Sequence, residues 1–376
     1  MPKSRIPGKT GRPVSARELA DELGVSVSTI SRAFTPSANV APETREKILA
    51  HAKATGYQPN PFARSLITQK TRIVSVFISE TFNPFFPEVL ITLTDALQQH
   101  GMTVMLFHIP AGKTPDEVLP QALSYQPEYV IVMTATVSFQ HAMAAEEAGT
   151  KLIFFNRYVP DTRTFSVTCD NERGGWELAD FLIGTGHRRM GYIAGTPGAT
   201  TSIDRGKGFI DRCAADGLDV VEDHQSNVFS YEDGRAAAVR LVTAHPDLDG
   251  IFCANDIVAM GAIDGIRFDL GMDVPGDISV VGFDDVSMAA WPSHSLTTYL
   301  HPMHRMATAT VNLIKKLDED PTAEPVAIKI PGKLVIRSTH ANRLELASHK
   351  RPATDASDKK GVTGHGGTNP VRNDGQ

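Results

Sequence analysis

The sequence predicts an α/β protein with a small helical head, a hinge, and a two-lobed body with parallel sheets. A helix-turn-helix pattern lies between residues 14 and 34. From Arg72 onward, short runs of β-branched residues alternate with helical stretches, which favours parallel sheets covered on both faces. Residues 1–70 contain eleven Lys/Arg and five Asp/Glu, whereas the whole chain of 376 residues has a net charge of −6. This length predicts two to three domains.

The head begins with two short helices. Ser15 and Glu18 have the spacing of a capping box, Gly24 suits a left-handed turn, and Ser26 can cap the second helix. Ile30 and Ala33 then face inward. Four side chains of the second helix face outward: Val27, Ser28, Ser31 and Arg32. This pattern occurs in many helical cores, but it is also that of a helix-turn-helix whose second helix enters the DNA major groove. The basic head on an acidic body favours the DNA-binding alternative.

The pattern of the head continues to residue 57. A third helix is expected from Pro42 to Gly56, and Ala41 before it provides no capping side chain. Residues 58–70 are expected to form a hinge, in which the segment 62–66 is long enough for one or two helical turns. The polar flanks, 1–13 and 343–376, are expected to be disordered.

The body is expected to span residues 71–342 and to contain two α/β units. Ligands of open parallel sheets bind at the carboxyl ends of the strands, so the informative residues are those that follow each strand. Helices are expected near 87–99, 115–124 and 139–148 in the first unit, between runs typical of strands.

Composition argues against several classes of protein. Cys169, Cys213 and Cys253 are far apart and show no zinc or disulfide spacing, which favours a reducing cytoplasm. We expect no secretory signal, because the N-terminal residues are basic without an apolar run, and no membrane span. A secreted sugar-binding protein would need such a signal and would lack the basic head.

Motifs of enzymes are incomplete. The run 184–186 lacks the third glycine of a dinucleotide fingerprint, and 206–208 lacks the Ser/Thr of a P-loop. His301 and His304 have H-x-x-H spacing without further metal ligands, so we expect them at a helix start. The sequence therefore predicts no catalytic residues, no metal and no cofactor.

Eight segments in order resemble the LacI/GalR family of transcriptional regulators: VSVSTISRAF (25–34), PETREKILAHAKATGYQPN (42–60), ARSL (63–66), NPFF (83–86), GHRRMGYIAG (186–195), CANDIVAMGAI (253–263), VPGDISVVGFDD (274–285) and SLTT (295–298). The resemblance implies a helix-turn-helix head, a hinge helix and a core like periplasmic sugar-binding proteins. It also implies a repressor that binds palindromic operator DNA as a homodimer or dimer of dimers. A small sugar or sugar derivative would control it as the effector.

The resemblance assigns DNA contacts. Val27, Ser28 and Arg32 lie at base-reading positions, where a methyl group, a hydroxyl and a guanidinium can each meet base edges. Leu66 matches a hinge leucine that enters the minor groove. The remaining expected contacts are Ser15, Ser26, Thr29, Ser31 and Arg64. Capping or solvation is the alternative role of the hydroxyl residues.

The resemblance also assigns effector contacts between the lobes: Phe85, Phe86, Asn156, Arg157, Arg205, Asn255 and Asp284. Arg205 and Asp284 could instead stabilise the cleft by pairing with each other. The first lobe is expected to comprise about 71–168 and 299–322, and the second about 169–298 and 323–342.

Overall fold

The computed structural model describes residues 14–35, 38–60, 70–79, 83–110, 113–133, 149–160, 162–225 and 229–345. Three expectations lie outside the described residues. They are the hinge segment 62–66 with Arg64 and Leu66, the helix 139–148, and the flanks 1–13 and 346–376.

The head contains three helices: α1 (Ala16–Leu23), α2 (Val27–Ala33) and α3 (Pro42–Thr55). Their shared core consists of six buried side chains: Leu19, Ala20, Ile30, Ala33, Ile48 and Ala52. As expected, α3 begins at a proline and has no side-chain cap at Ala41. Gly56 ends it in the left-handed conformation with φ 70°.

The body alternates strands and helices. In chain order it contains β1 (Ile73–Ile78), α4 (Phe85–Gln99), β2 (Thr103–His108), α5 (Pro115–Leu123), β3 (Tyr129–Val132), β4 (Lys151–Phe155), β5 (Phe165–Cys169), α6 (Asn171–Gly184), β6 (Met190–Ile193), α7 (Thr200–Ala215), β7 (Val220–Asp223), α8 (Tyr231–Ala244), β8 (Gly250–Cys253), α9 (Asp256–Asp264), a π-helical turn (Gly265–Asp269), β9 (Ser279–Asp284), a 3₁₀ turn (Ser287–Ala290), β10 (Thr297–Leu300), α10 (Met303–Glu319), β11 (Ala327–Ile330) and β12 (Lys333–Val335).

The strands form two sheets, and each sheet with its helices is one lobe. The first sheet has the order β11-β5-β4-β3-β1-β2 and the second β12-β10-β9-β8-β6-β7. Neighbouring strands are parallel, except that β12 runs antiparallel to β10. Most strands are buried along their length, as expected of parallel sheets covered on both faces.

The lobe boundaries differ from the expected ones near the C-terminus. Residues 323–342 were expected in the second lobe, but β11 pairs with β5 of the first sheet, with Ala327 opposite Ser166. Conversely, residues 299–300 belong to β10 in the second sheet. The alternating pattern of β11 could satisfy either sheet edge, so its choice depends on long-range packing that the pattern does not contain.

Residues 343–345, which the sequence predicts to be disordered, are ordered against the second lobe. The backbone N–H of Arg343 donates to Thr185 O at 2.8 Å, and its guanidinium donates to Asp277 O at 2.6 Å. The side chain of Leu344 lies over Gly186. Residues 343–345 are therefore part of the second lobe.

Two helices of the second lobe, α6 and α7, pack with their backbones in contact. A Cβ atom at Gly175 would lie 2.0 Å from Arg205 O, and one at Gly208 would lie 1.9 Å from Glu172 O. Glycine is required at both positions because any side chain would meet rigid backbone. No helix among the described residues is long and apolar enough to cross a membrane.

Candidate functional site

Local hydrogen bonds hold the two helices of the head in the predicted arrangement. Glu18 N donates to Ser15 Oγ at 3.2 Å and Ser15 N donates to Glu18 Oε2 at 2.8 Å, which confirms the capping box. Gly24 has φ 66° and makes the turn. Thr29 N donates to Ser26 Oγ at 3.1 Å and caps α2. The capping role considered for Ser15 and Ser26 is therefore present.

The outer face of α2 is open to solvent. Val27 is 46% exposed, and Ser28 and Arg32 are also exposed. The hydroxyl of Ser26 lies 2.8 Å from both Ser28 Oγ and Thr29 Oγ1, so the three hydroxyls form a cluster at the N-terminal end of the helix. A helix that presents a methyl group, hydroxyls and a guanidinium from its first two turns has the geometry of a recognition helix.

Sequence reasoning missed Arg45, which holds the loop after α2. Its guanidinium donates to the carbonyl oxygens of Ala33 (2.7 Å), Thr35 (2.9 Å) and Ala38 (2.7 Å). These bonds satisfy a carbonyl group at the C-terminal end of α2 and fix the connection to α3. The spacing could have indicated this role, because Arg45 precedes the buried Ile48 by three residues and therefore lies on the inner face of α3.

The seven residues predicted to contact an effector are all buried, between 2% and 4% exposed. They come from both lobes. Asn156 and Arg157 follow β4, Asn255 follows β8, Asp284 ends β9, Arg205 lies on α7, and Phe85 and Phe86 begin α4. Asn156 has φ 67° and Asp284 has φ 122°. Such conformations cost energy in residues with a side chain and often occur at functional sites.

Arg205 and Asp284 are brought together. Arg205 donates from Nη2 to Asp284 Oδ1 (2.9 Å), from Nε to Asn171 Oδ1 (2.9 Å) and from Nη1 to Ala254 O (2.7 Å). Its guanidinium carbon lies 3.7 Å from the centre of the Phe283 ring. Burial raises the pKa of Asp284 to about 6, against the lowering effect of Arg205. The pairing considered as an alternative therefore exists, and effector contact by these residues remains a prediction.

His301, which the sequence predicts only at a helix start, contacts several of the predicted residues. The ring lies just before α10, is 1% exposed, and its Nε2 is 2.8 Å from Asn156 Oδ1. The backbone N–H of His301 donates to Asp284 O at 3.0 Å, and its ring meets Phe85 edge-on at 4.8 Å. The signal was its position directly after the buried strand β10. The described residues contain no cluster of side chains suited to a metal ion.

Asn255 has a local role. Its Oδ1 accepts from Val258 N at 3.1 Å and caps α9. The preceding carbonyl, that of Ala254, is the acceptor for Arg205, so Asn255 lies beside the Arg205 network.

Further hydrogen bonds between described residues cross from one lobe to the other. Glu88 of α4 accepts from Ser287 N at 3.0 Å and from Ser287 Oγ at 2.6 Å. Tyr158, which follows β4, donates to Asp204 of α7 at 3.0 Å. Burial and the adjacent Asp204 raise the pKa of Tyr158 to about 12, which keeps its hydroxyl a donor. These contacts join the first lobe to the second.

Two family models match the two parts of this architecture. The model of the lacI family of bacterial regulatory proteins matches residues 16–60, and that of the periplasmic binding protein-like domain matches residues 179–340. The chain belongs to the lacI family. It is therefore a DNA-binding transcriptional regulator with a two-lobed core like periplasmic binding proteins, as predicted.

Relatives span nearly the whole chain. The ribose operon repressor of Halalkalibacterium halodurans is 29% identical over 86% of this chain and 96% of its own length. The regulator CelR of Thermobifida fusca is 29% identical over 84% of this chain and 95% of its own. These relatives are regulators and not enzymes.

Solved structures agree in fold. The Lac repressor dimer bound to operator and the anti-inducer ONPF covers 88% of this lacI-family chain and 100% of its own, with TM-score 0.76 and 22% identity. The CelR–cellobiose complex covers 87% of this chain and 100% of its own, with TM-score 0.64 and 27% identity.

Proposed function

We propose that this lacI-family chain is a repressor that binds a palindromic operator, and that a small sugar-like effector bound between its lobes controls operator affinity. The observation that carries the proposal is the exposed face of α2, with Val27, Ser28 and Arg32 on a capped and packed helix. The buried, strained strand ends of the cleft support the effector site. Its similarity to a ribose operon repressor and to a regulator solved with cellobiose supports a sugar.

Two exposed apolar side chains of the first lobe support a homodimer. Leu106, 51% exposed, lies on the edge strand β2, and Ile91, 64% exposed, lies on α4, the helix that connects β1 to β2. An open apolar edge favours pairing with another copy. Two copies would place two recognition helices on the two halves of a palindrome, and DNA as the partner implies that the protein acts in the cytoplasm.

Each of the three expected segments has its own proposed function. Residues 14–57 read the major groove. The hinge 58–70 contacts DNA through Arg64 and places Leu66 in the minor groove, and residues 71–342 bind the effector. An effector that changes the angle between the lobes changes the relation of the two hinges in the dimer. A leucine inserted between base pairs costs a few kcal/mol of unstacking, so it requires both hinges to be correctly placed.

The experiment that tests DNA reading replaces Arg32. A DNA fragment is selected from random sequence by the full chain, and binding is measured by fluorescence anisotropy against this fragment and against random DNA. We expect Arg32→Ala to weaken binding to the selected fragment by about 5–150-fold, the contribution of one bidentate base contact. Binding to random DNA should change much less.

Lys53→Ala is the matched control, because it removes one positive charge from the exposed surface of α3. We expect it to change neither the affinity for the selected fragment nor the preference over random DNA appreciably. Equal losses for Arg32→Ala on both DNAs, or the same loss for Lys53→Ala, would show that α2 does not read bases.

A further inference from the structure

The chain enters the first lobe through a strained turn at residues 70–72, which we call the hinge-exit turn. Arg72, the residue directly before β1, has φ 57°, in the left-handed region that residues with a side chain rarely adopt. Such a conformation persists only where the surrounding contacts hold it, and it often occurs at functional sites. The contacts around residues 70–72 therefore decide the direction in which the chain leaves the first lobe towards the head.

Hydrogen bonds hold the backbone of the hinge-exit turn on both sides. The backbone N–H of Arg72 donates to Glu128 Oε1 at 2.6 Å, and the carbonyl oxygen of Arg72 accepts from Thr103 N at 2.7 Å. The hydroxyl of Thr71 donates to Gln126 O at 2.8 Å. Glu128 directly precedes β3 and Thr103 begins β2, so these bonds join the turn to both strands that flank β1 in the sheet.

Asp318, near the C-terminal end of α10, holds the side chains of the hinge-exit turn. Its carboxylate oxygens lie 3.6 Å from Lys70 Nζ and 3.6 Å from Arg72 Nη1. The hydroxyl of the buried Tyr129 donates to Asp318 Oδ1 at 2.9 Å. Burial and this hydrogen bond raise the pKa of Tyr129, so its hydroxyl stays a donor. The carboxylate is thus held by β3 on one side and attracts the two cations of the turn on the other.

The helix α10 gives Asp318 a rigid base. Leu313, Ile314 and Leu317, in the two turns before Asp318, are all buried. The 17 residues of α10 span about 25 Å. Its first residue follows two positions after His301, whose ring contacts the predicted effector residues. The helix that carries Asp318 therefore extends from the cleft to the hinge-exit turn.

From these contacts we infer that Asp318 and Glu128 are positioning residues for operator binding. They fix the hinge-exit turn, and the turn sets where the hinge and the head lie relative to the body. Two heads of a dimer must meet two half-sites at a fixed separation, whereas binding to random DNA depends mainly on phosphate contacts. A loosened turn therefore lowers affinity for the operator more than affinity for random DNA. The inference rests on the proposed function, because it assumes that the head and the hinge bind operator DNA.

Asp318→Asn tests the contact with the side chains. The variant keeps an oxygen that accepts from Tyr129 and removes the charge that attracts Lys70 and Arg72. Fluorescence anisotropy of the full chain would compare a DNA fragment selected from random sequence by the unmodified chain with random DNA. We expect the preference for the selected fragment to fall by about 2–30-fold, the range over which residues that touch no ligand alter coupling between sites. The urea midpoint should change little, because a partly exposed ion pair contributes little to stability.

Glu319→Gln is the matched control for Asp318→Asn. It removes the same charge from the next residue of α10, which is exposed, and should keep the preference of the unmodified chain. Asp318→Glu restores a carboxylate and should recover most of the preference. An unchanged preference in Asp318→Asn would overturn the role of Asp318, as would an equal loss in Glu319→Gln. Equal losses on selected and random DNA would overturn it as well.

Two further variants test whether the effect passes through the hinge-exit turn. Glu128→Ala removes the acceptor of the Arg72 N–H and should also lower the preference for selected DNA, and an unchanged preference would overturn the role of Glu128. In a chain that already carries Lys70→Gln and Arg72→Gln, Asp318→Asn should cause little further loss, because its partners are absent. A full additional loss would show that Asp318 does not act through these side chains, which contradicts the inference.

The selection step separates this inference from the proposed function. An unmodified chain that selects no DNA sequence overturns the proposed function. A chain that selects a sequence, with a preference that neither Asp318→Asn nor Glu128→Ala reduces, overturns this inference and leaves the proposed regulator in place.

Discussion

Arg205→Ala should lower the free energy of unfolding by about 3–5 kcal/mol, because it leaves a buried carboxylate without its partner. Asp284 is 3% exposed, and Arg205 also satisfies Asn171 Oδ1 and Ala254 O. The loss is measured as the shift of the urea midpoint at constant slope. The same network surrounds the expected effector site, so effector binding should be lost as well.

A double variant and a surface pair control this result. Arg205→Met with Asp284→Asn removes both charges, and we expect it to be less destabilised than the sum of the two single variants. Arg173→Ala breaks an exposed ion pair with Glu177 in the same lobe and should change stability little. A cost below about 1 kcal/mol for Arg205→Ala would contradict a structural role for the pair.

Gly175→Ala should destabilise the second lobe by about 3 kcal/mol, at the upper end of the usual cost of overpacking. The new methyl group would lie 2.0 Å from Arg205 O and close to Phe209 N. Backbone cannot rotate away as a side chain does, so α6 and α7 must separate. Since α7 carries Arg205, we expect the effector affinity to fall together with the melting temperature.

The matched control lies on the same helix. A Cβ atom at Gly184 meets no atom within 4 Å, so Gly184→Ala should be neutral or stabilise the helix by up to about 1 kcal/mol. If Gly175→Ala and Gly184→Ala melted alike, the close approach of α6 and α7 would not limit stability.

Local features could be predicted from sequence because their causes lie within a few residues. The capping box of Ser15 and Glu18, the turn at Gly24 and the uncapped start of α3 all follow from neighbouring residues. Ligands of parallel sheets bind at the carboxyl ends of the strands. This expectation likewise identified Asn156 and Asp284, which the fold buries.

Features that depend on distant packing could not be predicted in the same way. From the sequence, Arg205 could either contact an effector or pair with Asp284, and the structure shows the pair with Asp284. His301 was considered with His304 because of their spacing, whereas its contact, Asn156, lies 145 residues earlier. β11 joins the first sheet because it pairs with the edge of β5, a partner more than 150 residues earlier in the chain.

The central claim is that the cleft and the operator-binding head influence each other. The direct measurement is operator affinity with and without saturating effector, together with effector affinity with and without operator. Thermodynamic linkage requires both affinities to change by the same factor, and we expect that factor to lie between about 5 and 150. An operator affinity that does not change when the cleft is saturated would contradict the account.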